Sequence, residues 1–377
     1  EHDRYASFAS GAPASLFEHC CRALERMLVT GSHGLPLMGS GDWNDGMDRV
    51  GIGGRGESVW LAWFQIAVAN SFAPIAAARG ATVQSNRWQA HAQALKAAID
   101  ECAWDGQWFV RAFDDAGLPW GSKQNDECQI DSISQSWGVL AGFGADPRVK
   151  TAMASVQQRL LVDAGLLPLL DPPFLATSRN PGYIRAYPPG IRENGGQYNH
   201  AAAWFGLACC GLCDGELALQ VFNLLSPVQR AADSEGAAHY GREPYVLAGD
   251  ISTQGEHQGC GGWSWYTGSA SWAWQLGITG MLGLRPSPGG LQLEPCLPQS
   301  WGSARLRVDT GQGLVDIEIE DPQHLGHGPL SLTIDGESVP GQHIPWPGVG
   351  RESLVRACIG GQEPGLLPAA TGRPPPA

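Results

Sequence analysis

Hydrophobic residues recur at helical spacing through most of the first 285 residues. In residues 15–28, apolar side chains follow one another at intervals of three and four, which predicts a helix. Residues 58–79 are apolar on nearly every face, which predicts a helix buried in a core. The other predicted helices are residues 84–103, 131–143, 147–164, 200–213, 216–225 and 269–284. Alternating positions and Asp-Gly turns predict a short hairpin in residues 104–122.

Three long segments rich in glycine, proline and aromatic residues separate these helices: residues 31–60, 168–199 and 237–268. A glycine inside a helix or strand costs about 0.5–1 kcal/mol relative to alanine, so these segments are predicted to be loops. Long loops inside a compact domain are usually functional. Successive helices joined by such loops indicate a mainly α fold, an α/α toroid whose loops gather at one end to build a site.

The spacing of apolar residues changes after Pro286, where short runs alternate with a period of two. These runs are residues 291–293, 304–308, 314–319 and 330–334. Turn signals separate them, of which Asp335-Gly336 is the clearest. The pattern predicts a small antiparallel β-sandwich. We therefore expect a helical domain in residues 1–285, a β-sandwich domain in residues 286–362 and a disordered tail in residues 363–377.

Composition narrows the class of protein. The net charge of −13 and the pI of about 5.2 disfavour nucleic-acid binding. Ten cysteines in 377 residues do not form a disulfide scaffold. With no signal peptide and no apolar run of membrane-spanning length, the sequence indicates a reduced, cytoplasmic protein. The surplus of tryptophan, 15 against 7 tyrosines, fits a carbohydrate cleft or a helical core.

The first long loop carries the sequence Asp42-Trp43-Asn44-Asp45-Gly46, followed by Asp48. Carboxylates beside an indole suit sugar chemistry, because the ring stacks on a sugar face while an acid reaches the glycosidic oxygen. The alternative is structural: Asp42 or Asp48 accepts backbone N–H bonds at a turn or a helix start. The motif alone does not decide between the two.

Four segments in one order make the sequence resemble glycoside hydrolase family 94, the inverting glycoside phosphorylases. They are HGLPLMGSGDWNDGMDRVGIGGRGESVWLAWF, YPPGIRENGGQYNHAAAWF, EPYVLAGD and GGWSWYTGSASWAW. Within the family, the likeness points to the phosphorylase-like domain at the C-terminus of cyclic β-1,2-glucan synthases. It covers roughly residues 1–320 and implies a β-sandwich, a helical linker, an (α/α)6 barrel and a C-terminal β-domain. Because the acid motif lies at residue 42, we expect the C-terminal part of a longer chain: a partial (α/α)6 toroid of the six-hairpin glycosidase type.

The resemblance also implies roles for individual residues. The general acid is Asp45, and Trp43 contacts sugar. Glu193 corresponds to a ligand of the acceptor sugar, and Trp263 and Tyr245 correspond to aromatic residues of the cleft. The residues implied in phosphate binding are His200, Thr267 and Gly268.

Alternatives from the residues themselves stay open. Glu193 could cap a helix or pair with Arg192 or Arg185, and a histidine at a helix start, such as His200, is commonly structural. The tryptophans could pack in a core. For phosphate, the residues agree with the resemblance, because Thr267-Gly268 precede a predicted helix whose N-terminus favours an anion.

The reaction implied is inverting phosphorolysis of β-glucosides, with β-1,2-glucan as the expected substrate and glucose 1-phosphate as product. Phosphate is already an anionic nucleophile, so one carboxylic acid suffices. An inverting hydrolase instead needs an acid and a base about 6.5–9.5 Å apart. The expected enzyme is a glycosyltransferase acting as a phosphorylase. It needs no cofactor and uses inorganic phosphate as co-substrate.

Two other functions are alternatives to the phosphorylase. One is an inverting glycoside hydrolase in which Glu57 or Glu193 acts as base. The other is a truncated, inactive remnant of a cyclic β-glucan synthase that binds glucan. Expected partners are a β-glucan or β-glucoside oligosaccharide and phosphate, a second copy in a homodimer, and a larger membrane-bound synthase. Asp126, Glu127 and Asp131 form an acidic cluster that we interpret as capping groups rather than a metal site.

Overall fold

The computed structural model describes residues 14–162 and 165–361, which form two compact units. The first contains the described residues up to Ala202 together with Arg230–Thr267, and the second contains Ala203–Gln229 and the described residues from Gly268 onward. The domain boundary predicted at residue 285 stays a prediction. The predicted tail, residues 363–377, lies outside the described residues.

Helices are the main regular structure of the first unit, and most lie where the sequence predicts them. They are α1 (Leu16–Arg26), α2 (Val59–Ala78), α3 (Thr82–Cys102), α4 (Ser132–Gly138), α5 (Pro147–Leu160) and α6 (Asn199–Gly211), which continues into the second unit. Short polar side chains fix where several of them begin. Ser58, Asp131 and Asp146 each accept a backbone N–H at the starts of α2, α4 and α5. Helix α5 ends at Leu160, whereas the sequence predicted that it would continue to residue 164.

Helix α2 is less completely buried than its composition predicts. It packs along α3 and α4 and buries one face, which includes Trp60, Trp63 and Ile66. On the other side Phe64 is 37% exposed and Ile75 is 51% exposed, so the prediction of all-round burial is wrong. At 20 residues, with a mean hydropathy of 1.4, α2 is long and apolar enough to span a membrane, but core helices of soluble proteins meet the same criterion.

Further helices are α7 (Gly215–Leu225), α8 (Pro227–Arg230), α9 (Ser234–Tyr240) and α10 (Ser269–Gln275). Single π-helical turns extend α4 through Phe143 and α10 through Met281. Helix α9 overlaps a segment predicted as loop. Its first turn is capped by Asp233, which accepts the Gly236 N–H, and it ends at Gly241 in the left-handed conformation.

Several two-residue strands lie next to the long loops, and three of them lead directly into helices. The strands are β1 (Glu57–Ser58), β2 (Ala112–Phe113), β3 (Pro119–Trp120), β4 (Ile130–Asp131), β5 (Leu170–Asp171), β6 (Gln197–Tyr198) and β7 (Asp250–Ile251). All pairings are antiparallel, in the sets β1-β2-β3, β4-β5 and β6-β7. The β2–β3 pair confirms the predicted hairpin. Because β1, β4 and β6 lead directly into α2, α4 and α6, the chain enters each helix at a fixed position.

The second unit contains two sheets. The three-stranded sheet has the order β14-β9-β8, from β8 (Leu284–Ser287), β9 (Gly290–Leu293) and β14 (His343–Pro345). The five-stranded sheet has the order β10-β11-β15-β12-β13, from β10 (Ser303–Asp309), β11 (Leu314–Glu320), β12 (Leu330–Ile334), β13 (Glu337–Val339) and β15 (Glu352–Ile359). Strands β11 and β15 run parallel, so the prediction of a purely antiparallel domain is wrong at that pair.

Apolar side chains from both sheets share one hydrophobic core. Leu291 and Leu293 come from the three-stranded sheet, and Ile317, Leu332 and Val355 come from the five-stranded sheet. Alternation along β11 explains the burial, because Val315, Ile317 and Ile319 are each fully buried on the same strand face. The two-residue period recognised in the sequence is therefore the source of this core.

Truncating this core should destabilise the protein. Ile317 is completely buried, so Ile317→Ala removes apolar contacts and leaves a cavity. We expect the free energy of unfolding to fall by about 2–5 kcal/mol, measured by denaturant titration. Val349 is 87% exposed, and Val349→Ala is the matched control that should change little. Equal effects from the two substitutions would contradict this assignment of the core.

Candidate active site

Two consecutive side-chain turns hold the backbone on both sides of Asp45. Asp42 Oδ1 accepts the Asn44 N–H at 3.0 Å, and Asn44 Oδ1 accepts the Gly46 N–H at 3.1 Å. Such turns are the usual local role of Asp and Asn. Asp45 then opens a single 3-10 turn, and its residue is exposed to solvent while Asn44 and Gly46 are buried. The loop therefore presents one carboxyl group from a fixed backbone.

The other aspartate of the motif, Asp42, is part of a buried ion pair. Arg111 Nη1 and Nη2 donate to its two carboxylate oxygens at 2.7 and 2.6 Å, and Ser58 Oγ donates at 2.6 Å. Burial raises the pKa of the Asp42 carboxyl, but Arg111 and these hydrogen bonds outweigh it and lower the pKa overall. Asp42 stays ionised and buried, which confirms its structural interpretation.

Trp43 lies next to Tyr198, near the end of the second long loop, and next to His200, in the first turn of α6. Its ring meets the ring of Tyr198 edge to face, with centroids 5.3 Å apart, and that of His200 in the same way at 5.5 Å. Trp43 is partly buried, as are both partners. The structure thus brings together two predicted site residues that are more than 150 positions apart in sequence.

The segment around Tyr183 lies directly on the loop that carries Asp45. Asp48 Oδ1 accepts the Tyr183 N–H at 3.0 Å. Gly182 has φ +120°, and a Cβ there would collide with Asp48 Oδ1 and the Gly46 carbonyl oxygen. Burial raises the pKa of the Tyr183 phenol, and so do the nearby carboxylates of Asp45 and Glu193. Tyr183 is 46% exposed, so its ring lies at the protein surface near the Asp45 carboxylate. Sequence reasoning missed this residue, because no local pattern relates the two loops.

Glu193 has polar partners on both sides. Arg192 Nε lies 3.5 Å from Glu193 Oε2, so the ion pair considered as an alternative is present. The Tyr198 phenol also bonds to Glu193; burial and this carboxylate raise the pKa of Tyr198. Arg185, the other candidate partner, donates instead to the Thr177 carbonyl oxygen at 3.1 Å. Glu193 is thus a hydrogen-bond acceptor held in place by its partners. It lies near Trp43, because both residues contact Tyr198.

His200 lies in the first turn of α6 and is neutral at physiological pH, because burial lowers the pKa of its imidazole to about 4. Thr267 is partly buried, and its N–H donates to the Trp265 carbonyl oxygen at 3.0 Å. Gly268 follows in the second unit, immediately before α10. The phosphate-binding roles of these three residues stay predictions.

Tyr245 and Trp263 belong to an exposed aromatic cluster. Tyr245 is 72% exposed and Trp263 is 55% exposed, which overturns the core-packing alternative for this tryptophan. Their rings pair edge to face with Trp265 and Tyr266, at centroid distances of 6.5 and 6.3 Å. Among the described ring contacts, both residues therefore pair within their own segment rather than with Trp43. Their substrate-binding role stays a prediction.

Glu57 is held away from solvent. Its carboxylate, 1% exposed, accepts the N–H groups of His33 and Leu35 at 3.0 Å and lies 2.5 Å from His33 Nδ1. His33 in turn stacks on Phe113 with centroids 4.2 Å apart. Glu57 thus fixes the turn at residues 31–35, and it has no exposed oxygen with which to activate a water molecule.

Two members of the acidic cluster before α4, Glu127 and Asp131, have structural roles. Asp131 accepts the Ile133 N–H at 2.9 Å, and Glu127 accepts three successive N–H groups, of which Ala176 is the nearest at 2.7 Å. The capping interpretation is confirmed for Asp131. Within residues 14–162 and 165–361, no group of three or more His, Cys, Asp or Glu side chains could hold a metal ion.

An exposed carboxyl group on a fixed loop can protonate a glycosidic oxygen, and nearby indole and phenol rings can pack on a sugar, so these groups suit a protein that acts on glycosidic bonds. Comparison with known families agrees with this class. The model for the glycosyl hydrolase 94 superfamily, catalytic domain, matches residues 2–283. The chain belongs to this family.

Curated relatives include a synthase and several phosphorylases. The chain is 44% identical over 314 residues to cyclic beta-(1,2)-glucan synthase NdvB of Rhizobium meliloti (strain 1021), which covers 82% of this chain and 11% of the relative. It is 30% identical to solabiose phosphorylase of Paenibacillus borealis, over 84% of this chain and 41% of the relative. The chain thus spans less than half the length of these relatives.

Solved structures support the fold. A sialidase superimposes on 78% of this chain and 26% of its own, with a TM-score of 0.53 and 14% identity. This likeness concerns the fold alone. Together with the family assignment, it fits a helical toroid of the (α/α) type.

The loop that carries Asp45, residues 42–48, is called the acid loop. Gly182 packs so closely against it that only glycine fits at this position. Gly182→Ala places a Cβ against Asp48 Oδ1 and the Gly46 carbonyl oxygen, in a backbone conformation that only glycine readily adopts. We expect a loss of about 1–3 kcal/mol in the free energy of unfolding. The control Gly54→Ala also has positive φ, but nothing lies within 4 Å of its Cβ. If both substitutions lower the free energy of unfolding equally, the contact between the two loops does not contribute to stability.

His200 should make the protein acid-sensitive. Its folded-state pKa of about 4 lies below the ordinary value of 6.5, so the unfolded chain takes up a proton that the folded chain does not. Stability is therefore lost as the pH falls from 6.5 towards 4. His200→Gln should weaken this loss, seen in denaturant midpoints across the range, whereas the exposed control His257→Gln should not. An unchanged pH dependence in His200→Gln would contradict the assignment.

Proposed function

We propose that this chain carries the catalytic acid and much of the substrate site of an inverting glycoside phosphorylase acting on β-glucosides. In this proposal the chain forms the C-terminal part of an (α/α)6 barrel followed by a β-sandwich domain. The barrel supplies the loops, and Asp45 is the general acid. The family assignment and the phosphorylases among the relatives support this class of reaction.

The observation that carries the proposal is the contrast between Asp45 and the neighbouring carboxylates. Asp45 is exposed on a fixed loop, whereas Asp42 is enclosed in its ion pair and Glu57 is enclosed by backbone N–H groups. Glu193 is engaged by Arg192 and Tyr198. Among these carboxylates, one accessible acid without an unengaged second carboxylate suits phosphorolysis better than hydrolysis, which needs a base as well.

The reaction then follows from what each group supplies. A phosphate oxygen attacks the anomeric carbon from the face opposite the leaving sugar, and the bond from that carbon to the glycosidic oxygen breaks. The Asp45 carboxyl transfers its proton to the glycosidic oxygen as that bond breaks. The products are an α-glucosyl phosphate with inverted configuration and a shortened sugar chain with a new hydroxyl group.

His200, Thr267 and Gly268 are the proposed phosphate ligands. A neutral imidazole can donate one hydrogen bond to a phosphate oxygen, and the Thr267 hydroxyl and the Gly268 backbone N–H can donate others. Trp43, which contacts His200, would lie between this group and the sugar. Tyr183 and Glu193 would border the leaving sugar, and Trp263 and Tyr245 would extend the aromatic surface for longer substrates.

The proposed substrate is β-1,2-glucan, because the synthase among the relatives is named for that linkage. In the same proposal the chain works in the cytoplasm, within a larger membrane-bound synthase or as a homodimer. The cysteines support a reducing compartment, since all ten carry free thiols, including the exposed Cys213.

The test is release of glucose 1-phosphate from β-1,2-gluco-oligosaccharides, with and without inorganic phosphate. We expect phosphate-dependent product that falls by about 10²- to 10⁴-fold in Asp45→Asn, because the leaving oxygen is no longer protonated. Asp126→Asn is the matched control, since Asp126 is an exposed aspartate of another loop, and it should retain activity.

Three other results would contradict the proposal. Release of free glucose that is independent of phosphate would indicate a hydrolase. Binding of oligosaccharide without turnover, both in this chain and in a longer protein that includes it, would indicate a glucan-binding remnant. Full activity in Asp45→Asn would remove Asp45 from the mechanism.

A further inference from the structure

Arg111 is a completely buried cation that the proposed chemistry does not use directly. Its side chain is 0% exposed, and it faces two carboxylates that are also 0% exposed, Asp42 and Asp131. A buried charge is expensive unless it is paired and hydrogen-bonded. Placing three charged groups here therefore calls for an explanation beyond packing.

The guanidinium has a carboxylate at each end and is hydrogen-bonded at one of them. Its Nη1 and Nη2 atoms form a fork with the Asp42 carboxylate, at 2.7 and 2.6 Å, and its Nε lies 3.4 Å from Asp131 Oδ2. The main chain of Arg111 is held as well: its N–H donates to the Trp120 carbonyl oxygen, and its own carbonyl oxygen accepts the Val59 N–H. The small sheet β1-β2-β3 thus sets the position of the guanidinium.

A continuous series of hydrogen bonds leads from Arg111 to the acid loop. Asp42 Oδ1, which accepts from Arg111 Nη2, also accepts the Asn44 N–H at 3.0 Å. The Asn44 side chain accepts the Gly46 N–H at 3.1 Å. Asp45 lies between these two turns, so its backbone orientation depends on where the Asp42 carboxylate is held.

We propose that Arg111 is a positioning residue for the general acid Asp45 and acts through the Asp42 carboxylate; this inference rests on the proposed function. Without the guanidinium, Asp42 must either take up a proton or turn towards water. Either change weakens the turn at Asn44 and displaces Asp45 relative to the glycosidic oxygen. Lysine keeps the charge but cannot form the planar fork, so Arg111→Lys is the informative substitution.

The reaction itself can separate positioning from plain structural support. A sugar leaving group needs a proton, whereas 2,4-dinitrophenolate is stable without one and leaves without help from Asp45. A displaced acid therefore slows cleavage of a β-1,2-linked glucose disaccharide and spares cleavage of 2,4-dinitrophenyl β-glucoside. A general loss of folded protein would slow both substrates equally.

The experiment measures kcat and KM for both substrates with inorganic phosphate in the original chain, Arg111→Lys and Asp45→Asn. A misplacement of about 1 Å can cost about 10²-fold, so we expect a loss of this order in kcat for the disaccharide in Arg111→Lys. The dinitrophenyl substrate should lose less than about threefold, since a group that needs no proton gains little from a general acid. Arg148→Lys is the matched control, because Arg148 pairs with Asp100 away from the acid loop.

Equal losses on both substrates, or the same small change in Arg111→Lys and Arg148→Lys, would overturn the inference. If Asp45→Asn shows no selective loss on the disaccharide, the proposed function fails instead. Amide hydrogen exchange then tests Arg111 independently of turnover. Faster exchange in residues 42–48 of Arg111→Lys, with unchanged exchange in residues 175–177, whose N–H groups donate to Glu127, would support positioning. Unchanged exchange in residues 42–48 would overturn it.

Discussion

The buried pairing of Arg111 with Asp42 is the interaction on which the candidate site depends. It joins the acid loop to strand β1, which precedes α2, because Ser58 donates to the same carboxylate and caps that helix. Asp131 connects the same guanidinium to the N-terminus of α4. Two helix starts and one loop thus share a single cation, and moving any one of them disturbs the others.

Polar side chains also hold the backbone elsewhere in the site. Two-residue strands lead into α2, α4 and α6, and side-chain oxygens bind the backbone N–H groups that remain in the loops. Asp48, Glu57 and Glu127 each hold a loop in this way. Carboxylates that bind backbone N–H groups are not available for proton transfer. The exposed position of Asp45 therefore identifies it as a candidate acid.

The sequence predicts the helices and several strands well, because their apolar periods are strong. The residues of the motif alone do not distinguish Asp42 from Asp45, as the family resemblance does, since what separates them is a partner of Asp42 that lies 69 positions away in sequence, Arg111. Tyr183 is missed for the same reason, as its relation to Asp45 arises between two loops. Strand β15 is missed because its residues from Val355 to Ile359 are nearly all buried, so they do not alternate clearly.

The position of β15 has a consequence for how the C-terminal sheet forms. The last strand of the described chain is also the central one, between β11 and β12, and it pairs in parallel with β11. Local hairpins such as β10–β11 and β12–β13 can form as soon as their residues leave the ribosome. The sheet itself stays divided until β15 emerges and inserts, so this unit cannot be completed before residues 352–359 have been synthesised.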